Sequence, residues 1–274
     1  MSDAGRLSGW GIFRAALGLL IGNLRAAARV SLVPFGLVGL LLAAVIASVG
    51  EWNVAFGLPG PQTAPSPTVT GEQAASWIVL AAASLTAICW VAVAWHRRIL
   101  MHEDAGIVPP FRGAAVWGYA WRSAVVVLIL IVAGLVVAIP ASLFGVFAGQ
   151  AVGGVGGAIA GAMLGSFVAN AILGALFYSI GLVLPARAVD RPIGFGESMA
   201  AARGSFGALV ILAILTALLT LLLELPGTLD VFLGSDLGSW VGFAIGLLVQ
   251  WFVFMLGLSI LTTLYAKLVE GRAA

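Results

Sequence analysis

The sequence predicts an all-α fold, a polytopic membrane protein of six transmembrane helices joined by short interfacial helices. Three observations carry that prediction. The 274-residue chain is 62% apolar and only 9% charged, with a mean hydropathy of +1.14, whereas soluble domains carry roughly 25% charged residues. Its charge-free intervals have the length of a membrane crossing. Its basic residues fall on alternate connecting segments.

Val30 to Gly50, Gln73 to His96, Gly204 to Leu223 and Leu237 to Ala266 contain no Asp, Glu, Lys or Arg. Each suits one crossing, because about 20 apolar residues, rising about 1.5 Å each, cover a hydrocarbon layer roughly 30 Å thick. The first interval is 21 residues long. A signal-peptide core runs roughly 7 to 15 residues, so a retained span is expected. The interval Ser123 to Ala186 is 64 residues long and must be divided. Pro140 and the run Gly149-Gln150-Ala151-Val152-Gly153-Gly154 place a turn near residues 146 to 153. The expected spans are therefore 30–50, 73–96, 123–145, 154–186, 204–223 and 237–266, preceded by an interfacial helix within 1–29, all in a single membrane domain.

Three spans would also fit into 64 residues, and charge decides against them. With two spans there, all 13 Lys and Arg residues, from Arg6 to Arg272, lie on one side. The opposite side carries Glu51, Glu72, Glu224, Asp230 and Asp236 and no base. An odd count would move Arg187, Arg191 and Arg203 across and destroy the segregation. The positive-inside rule then puts both termini in the cytoplasm. Trp77, Trp95, Trp117, Trp121 and Trp240 fall near span ends, where an indole suits headgroup depth. The segment from Glu51 to Glu72, with Pro59, Pro61, Pro65 and Pro67, reads as an extended connection. Twelve of the 13 bases are arginine, and small apolar residues abound, a composition typical of a bacterium with a GC-rich genome. The expected location is the bacterial inner membrane. The pI near 9.1 reflects a charge excess of only +2, without the basic stripe that nucleic acid requires.

Each pair of spans is preceded by a segment with a phenylalanine, small residues and a closing arginine: Phe13 through Arg29, Phe111 through Arg122, and Phe195 through Arg203. Each pair ends in a polar exit: Trp95-His96-Arg97-Arg98, Pro185-Ala186-Arg187-Ala188-Val189-Asp190-Arg191, and Tyr265-Ala266-Lys267. The pattern fits three repeated helical hairpins, each with its own interfacial helix, and equally a coincidence of topology. In the first segment Phe13, Leu17, Leu20, Ile21 and Leu24 recur at helical spacing. Such a helix could lie on the inner leaflet or pack onto the ends of the bundle. The six-span layout, with basic elbows and the exit Leu184-Pro185-Ala186-Arg187, resembles the bacterial membrane proteins related to YciC and the membrane domain attached to some glycerophosphodiester phosphodiesterases. The resemblance implies a fold and a membrane location, and brings no catalytic residues.

Few residues offer chemistry. Gly153, Gly157, Gly161 and Gly165 repeat every four residues, a glycine-zipper face that lets helices approach closely, within the bundle or in a homo-oligomer. A pore or lipid groove is the lesser alternative. Asn170 and Gln250 are the strongest hydrogen-bonding groups inside the spans, expected to pair across helices or, less often, to meet a substrate. The absence of intramembrane acids and bases argues against a proton-coupled pump. Arg25, Arg29, Arg97 and Arg98 are expected to contact lipid headgroups, at roughly 1 kcal/mol each near an anionic surface. His96 and His102 are six apart and do not converge as the i, i+4 pair of a zinc helix does, so no metal site is expected. Cys89 stands alone, and no phosphate loop or nucleophile elbow occurs. Glu197 through Gly204 only faintly matches the coupling motif of importer permeases. No cofactor is expected. The expected function is a non-catalytic protein of envelope organisation, or of assembly or modulation of a membrane partner complex. The alternative is a small transporter or lipid-handling protein using the glycine-lined face. Its partners would be membrane lipids and a membrane protein or a second copy.

Overall fold

The computed structural model describes residues 7–49, 70–104, 106, 108–233 and 239–272, with side chains described throughout these except at 48–49 and 224–244. The proline-rich segment after Glu51 and the side chains of Glu224, Asp230, Asp236 and Trp240 lie outside the described residues.

The described secondary structure is helical: α1 (Gly9–Gly22), α2 (Leu24–Val49), α3 (Gly71–Leu100), α4 (Gly113–Val152), α5 (Gly154–Ile180), α6 (Val183–Ala188), α7 (Phe195–Arg203), α8 (Phe206–Leu233) and α9 (Ser239–Leu268). Among the described residues, six helical segments are long and apolar enough to cross a membrane. The all-α polytopic fold is the one the sequence predicts.

Local chemistry sets the boundaries. The Ser8 hydroxyl accepts a hydrogen bond from the Gly11 amide at 3.0 Å and starts α1. Thr70 and Gln73 form a reciprocal capping box that starts α3. Gly153 and Gly154, at φ +76° and +63°, make the reversal between α4 and α5, a backbone region that glycine enters without steric cost. The turn is therefore two residues rather than the broader stretch expected at 146 to 153. Helix α4 spans 40 residues, about 60 Å at 1.5 Å per residue, and passes through Pro140 unbroken. It absorbs the segment Phe111 through Arg122, expected as a separate interfacial helix. No proline or glycine pair interrupts that stretch, and Arg122 donates to the carbonyl of Ile193 at 2.7 Å, tying the start of the helix to the bundle.

Helix α1 buries Gly9, Ile12, Ala16 and Leu20 and packs against α8 and α9. Gly9 is required there, since a Cβ would come within 2.5 Å of the Ala208 carbonyl. Ile21 and Leu24, assigned to the apolar stripe by spacing, are 55% and 40% exposed. Of the two placements open for this helix, the structure favours packing onto the bundle, through a face rotated from the expected one.

The core is concentrated at the basic end. Short α6, nearly all buried, packs against α3, α4 and α9. Trp95, Leu182, Leu209, Leu212, Ile260, Leu261 and Tyr265 are fully enclosed in the same core. Towards the other end fewer side chains are enclosed. Only 11% of the apolar window of α4 is buried, and Leu135, Val136 and Ile139 are each about two-thirds exposed. Apolar surface of this extent is stable only where hydrocarbon replaces water.

Candidate functional site

The last turn of α3 carries two adjacent arginines with opposite fates. Arg97 is 6% exposed. Its Nε and Nη2 donate to the two carboxylate oxygens of Glu103 at 3.0 and 2.6 Å. Its Nη1 donates to the Ala188 carbonyl at 3.0 Å and to Asp190 Oδ2 at 2.6 Å. Arg112 reaches the same Glu103 at 3.1 Å. The hydrogen bond from Arg97, reinforced by the charges of Arg97 and Arg112 against the opposing effect of burial, holds the Glu103 carboxyl below the usual glutamate range. Arg187, on α6, donates to the Ala114 carbonyl at 2.9 Å, and its guanidinium fills the space a Cβ at Gly118 would need. Arg97 is thus an internal clamp joining the end of α3 to α6. The lipid-headgroup role expected for it is corrected: its donors are satisfied by the protein, and it is withdrawn from the surface.

Beside it, His96 is wholly buried. Its Nδ1 lies 2.8 Å from Thr262 Oγ1 and its Nε2 3.4 Å from the Tyr119 hydroxyl, linking α3 to α9 and α4. His102 is exposed at φ 55°, so the two imidazoles do not meet. The order Trp95-His96 at the end of a charge-free interval was the sole sequence signal for this buried polar link. Glu103 and Asp190 carried none as partners, because they come from different loops, and Arg187 comes from α6.

Arg98, one position on, is turned by about 100° around the helix and faces a different neighbourhood. It stands with Arg25 and Arg29 around a pocket of about 190 Å³, completed by Asn23 and Asp104. Arg25 and Arg29 occupy consecutive turns of α2, on one face. Arg98 pairs with Asp104 at 3.1 Å, while Arg25 and Arg29 have no ion-pair or hydrogen-bond partner among the described residues. Three guanidinium groups against one carboxylate leave the pocket with a surplus of two positive charges. Like charges at i, i+4 repel by a few tenths of a kcal/mol, and an anion in the pocket would relieve this. The elbow Gly22-Asn23 between α1 and α2 brings the three together, with the Asn23 amide donating to the Leu19 carbonyl at 2.9 Å to hold the bend. Three of the four arginines assigned to headgroup contact therefore converge.

The glycine face has an internal partner. Gly157 and Gly161 lie against the backbone of Gly149 and Gly145 on α4, and a Cβ at Gly165 would stand 2.9 Å from the Ala141 carbonyl. The stripe closes the α4–α5 hairpin. Gly153 does not belong to it: this residue forms the turn, with open space around it. A groove of about 730 Å³ runs along the outside of the same hairpin, past Ser142, Gln150, Ala162 and Ser166. Asn170 and Gln250, expected to pair, are both exposed on the surface and make no hydrogen bond to one another. They are on helices that share no substantial packing.

No family model matches the chain, and no curated protein or solved structure matches it either.

Proposed function

We propose that this chain is a non-catalytic protein of the bacterial inner membrane, with both termini in the cytoplasm, that organises the envelope or modulates a membrane partner through anionic lipid held at its basic elbow. The supporting observation is the convergence of Arg25, Arg29 and Arg98 on one pocket at the end of the molecule where the core is tightest. Lipid seated there is read chiefly by arginines on helices α2 and α3, with Asp104 contributed by the loop that follows α3. The pocket's volume suits a phosphate group, and its surplus charge suits a monoanion or dianion.

The test is binding of phosphatidylglycerol or cardiolipin to the purified chain, followed by native mass spectrometry. Arg25→Gln with Arg29→Gln is expected to weaken retention of anionic lipid roughly thirtyfold, the weight of about 1 kcal/mol for each of two bases. Undiminished retention in the double variant would reject the reading. Crosslinking in native membranes then identifies any partner, and its loss in the same double variant would tie the partner to the lipid.

A second reading, a small transporter or lipid-handling protein, is supported by the groove along α4 and α5. Ala162→Phe fills that groove from its α5 wall. Lipid scrambling or solute flux in liposomes that persists unchanged in this variant would remove the second reading.

A further inference from the structure

A second groove, of about 650 Å³, lies between α5, α7 and α8, away from the basic elbow. Its floor is small and fixed. Ala175 and Ala202 are buried at 6% and 1% exposure, and the Ser198 hydroxyl donates to the Ser179 carbonyl at 2.9 Å, stapling α7 to α5. Its walls are large and unpartnered: Ile172, Met199, Phe206 and Ile214 are 40% to 56% exposed. Along α5 it extends from Phe167 to Ser179, about 18 Å at 1.5 Å per residue, comparable with the roughly 15 Å depth of one leaflet's hydrocarbon.

One charged side chain lines this groove. Arg203 closes it at the end of α7, exposed and without an ion-pair or hydrogen-bond partner among the described residues. Ser198 of α7 is bonded to Ser179, at the end of α5 that leads into α6, so this end of the groove lies at the basic end of the molecule. An apolar channel of single-leaflet length ending in an unpaired guanidinium has the pattern of a lipid: hydrocarbon below, anion above. A polypeptide helix would have to present an acid at that one point.

The geometry points to this groove as a site for an anionic glycerophospholipid of the basic-side leaflet, with an acyl chain along α5 and α8 and its phosphate on Arg203. This site is separate from the Arg25, Arg29 and Arg98 pocket and stands whether or not that pocket holds lipid. It differs from an ordinary annular position because the stapled floor offers fixed contacts to a chain and Arg203 selects by charge.

The experiment uses the full chain, reconstituted in vesicles of equal phosphatidylglycerol and phosphatidylcholine, with a photoreactive benzoylphenylalanine at position 172 and, as control, at position 136 on the outward face of α4. Adducts are identified by mass spectrometry. Position 172 is expected to capture phosphatidylglycerol over phosphatidylcholine by about fivefold, equivalent to about 1 kcal/mol for one base at an anionic headgroup. Position 136 should show no preference. Arg203→Gln brings the ratio at 172 to unity, Arg203→Lys retains most of it, and Ala171→Trp lowers total capture by filling the groove. The proposal is overturned by equal capture of both lipids at 172, by a preference that survives Arg203→Gln, or by an adduct that proves to be a second copy or another polypeptide.

Discussion

Arg97 and Arg98 show how much one helical step decides at the scale of a residue. Both follow the same apolar run and both end the same helix, yet about 100° of rotation sends one into Glu103 and Asp190 and the other to the basic pocket. Removing the inward one leaves Glu103 with Arg112 alone and the Ala188 carbonyl without its Arg97 donor. Hydrogen bonds to charged groups contribute roughly 1.5–3 kcal/mol, reduced here because Asp190 is largely exposed. Arg97→Ala is therefore expected to lower the unfolding free energy in detergent by about 2 kcal/mol, whereas Arg98→Ala should change it by under about 0.5 kcal/mol. The clamp also predicts a pH dependence. Because Glu103 titrates below its ordinary value of 4.5 in the folded protein, its contribution is complete above that value and is lost as the pH falls towards the depressed one. Wild type should lose stability on acidification below about pH 4.5 more steeply than Glu103→Gln, as read from unfolding midpoints; parallel curves would contradict the clamp. Arg97 was legible in the sequence as a base at a span end. Its partners were not, since Asp190 is 93 residues away along the chain and nothing local announces it.

Helix pairing is decided at the next scale. The α4–α5 hairpin has backbone against backbone along Gly145, Gly149, Gly157 and Gly161, the close approach that substitutes for hydrophobic drive in lipid. The repeat was plain in the sequence, and its partner helix followed once the turn was located. Which glycine belonged to the turn was not plain, because a glycine on a packed face and one at positive φ are the same letter. Gly161→Val should therefore destabilise the hairpin by about 1–3 kcal/mol, the usual range for overpacking. Gly156→Ala, on the open side of the same helix, should be neutral or slightly favourable. Equal effects of the two substitutions, measured by steric trapping or denaturant in detergent, would contradict the pairing. Continuous α4 teaches the complementary lesson. Phe111 through Arg122 matched the interfacial pattern in composition, but nothing in the stretch from Gly113 to Arg122 ends the helix, and even Pro140 further on does not break it before Gly153.

The whole molecule encloses most of its large side chains at its basic end and leaves many exposed towards the other. Leu261 is 2% exposed and Leu135 69% exposed, although hydropathy treats them alike. Leu261→Ala is expected to cost about 3 kcal/mol, and Leu135→Ala under about 0.5 kcal/mol. Comparable losses would show that the core lies elsewhere. Topology is tested at this scale too. In a Cys89→Ser background, Arg14→Cys and Arg203→Cys should react with a membrane-impermeant thiol reagent only from the cytoplasmic side, and Glu72→Cys only from the other. The reverse pattern would invert the molecule.

What the sequence by itself determined is the number of apolar crossings and the side on which the bases gather. Hydrocarbon thickness and the cost of moving a charge through it act on each segment separately, whatever its neighbours are. The tertiary structure decided what depends on neighbours. It set α1 against α8 and α9 rather than its own hairpin, turned Arg97 inward, drew Arg25, Arg29 and Arg98 together, and left Asn170 and Gln250 apart. Each of these turns on the rotation of one helix about its axis and on contacts between distant segments. Periodicity marks a helix's faces but not which neighbour each face will meet.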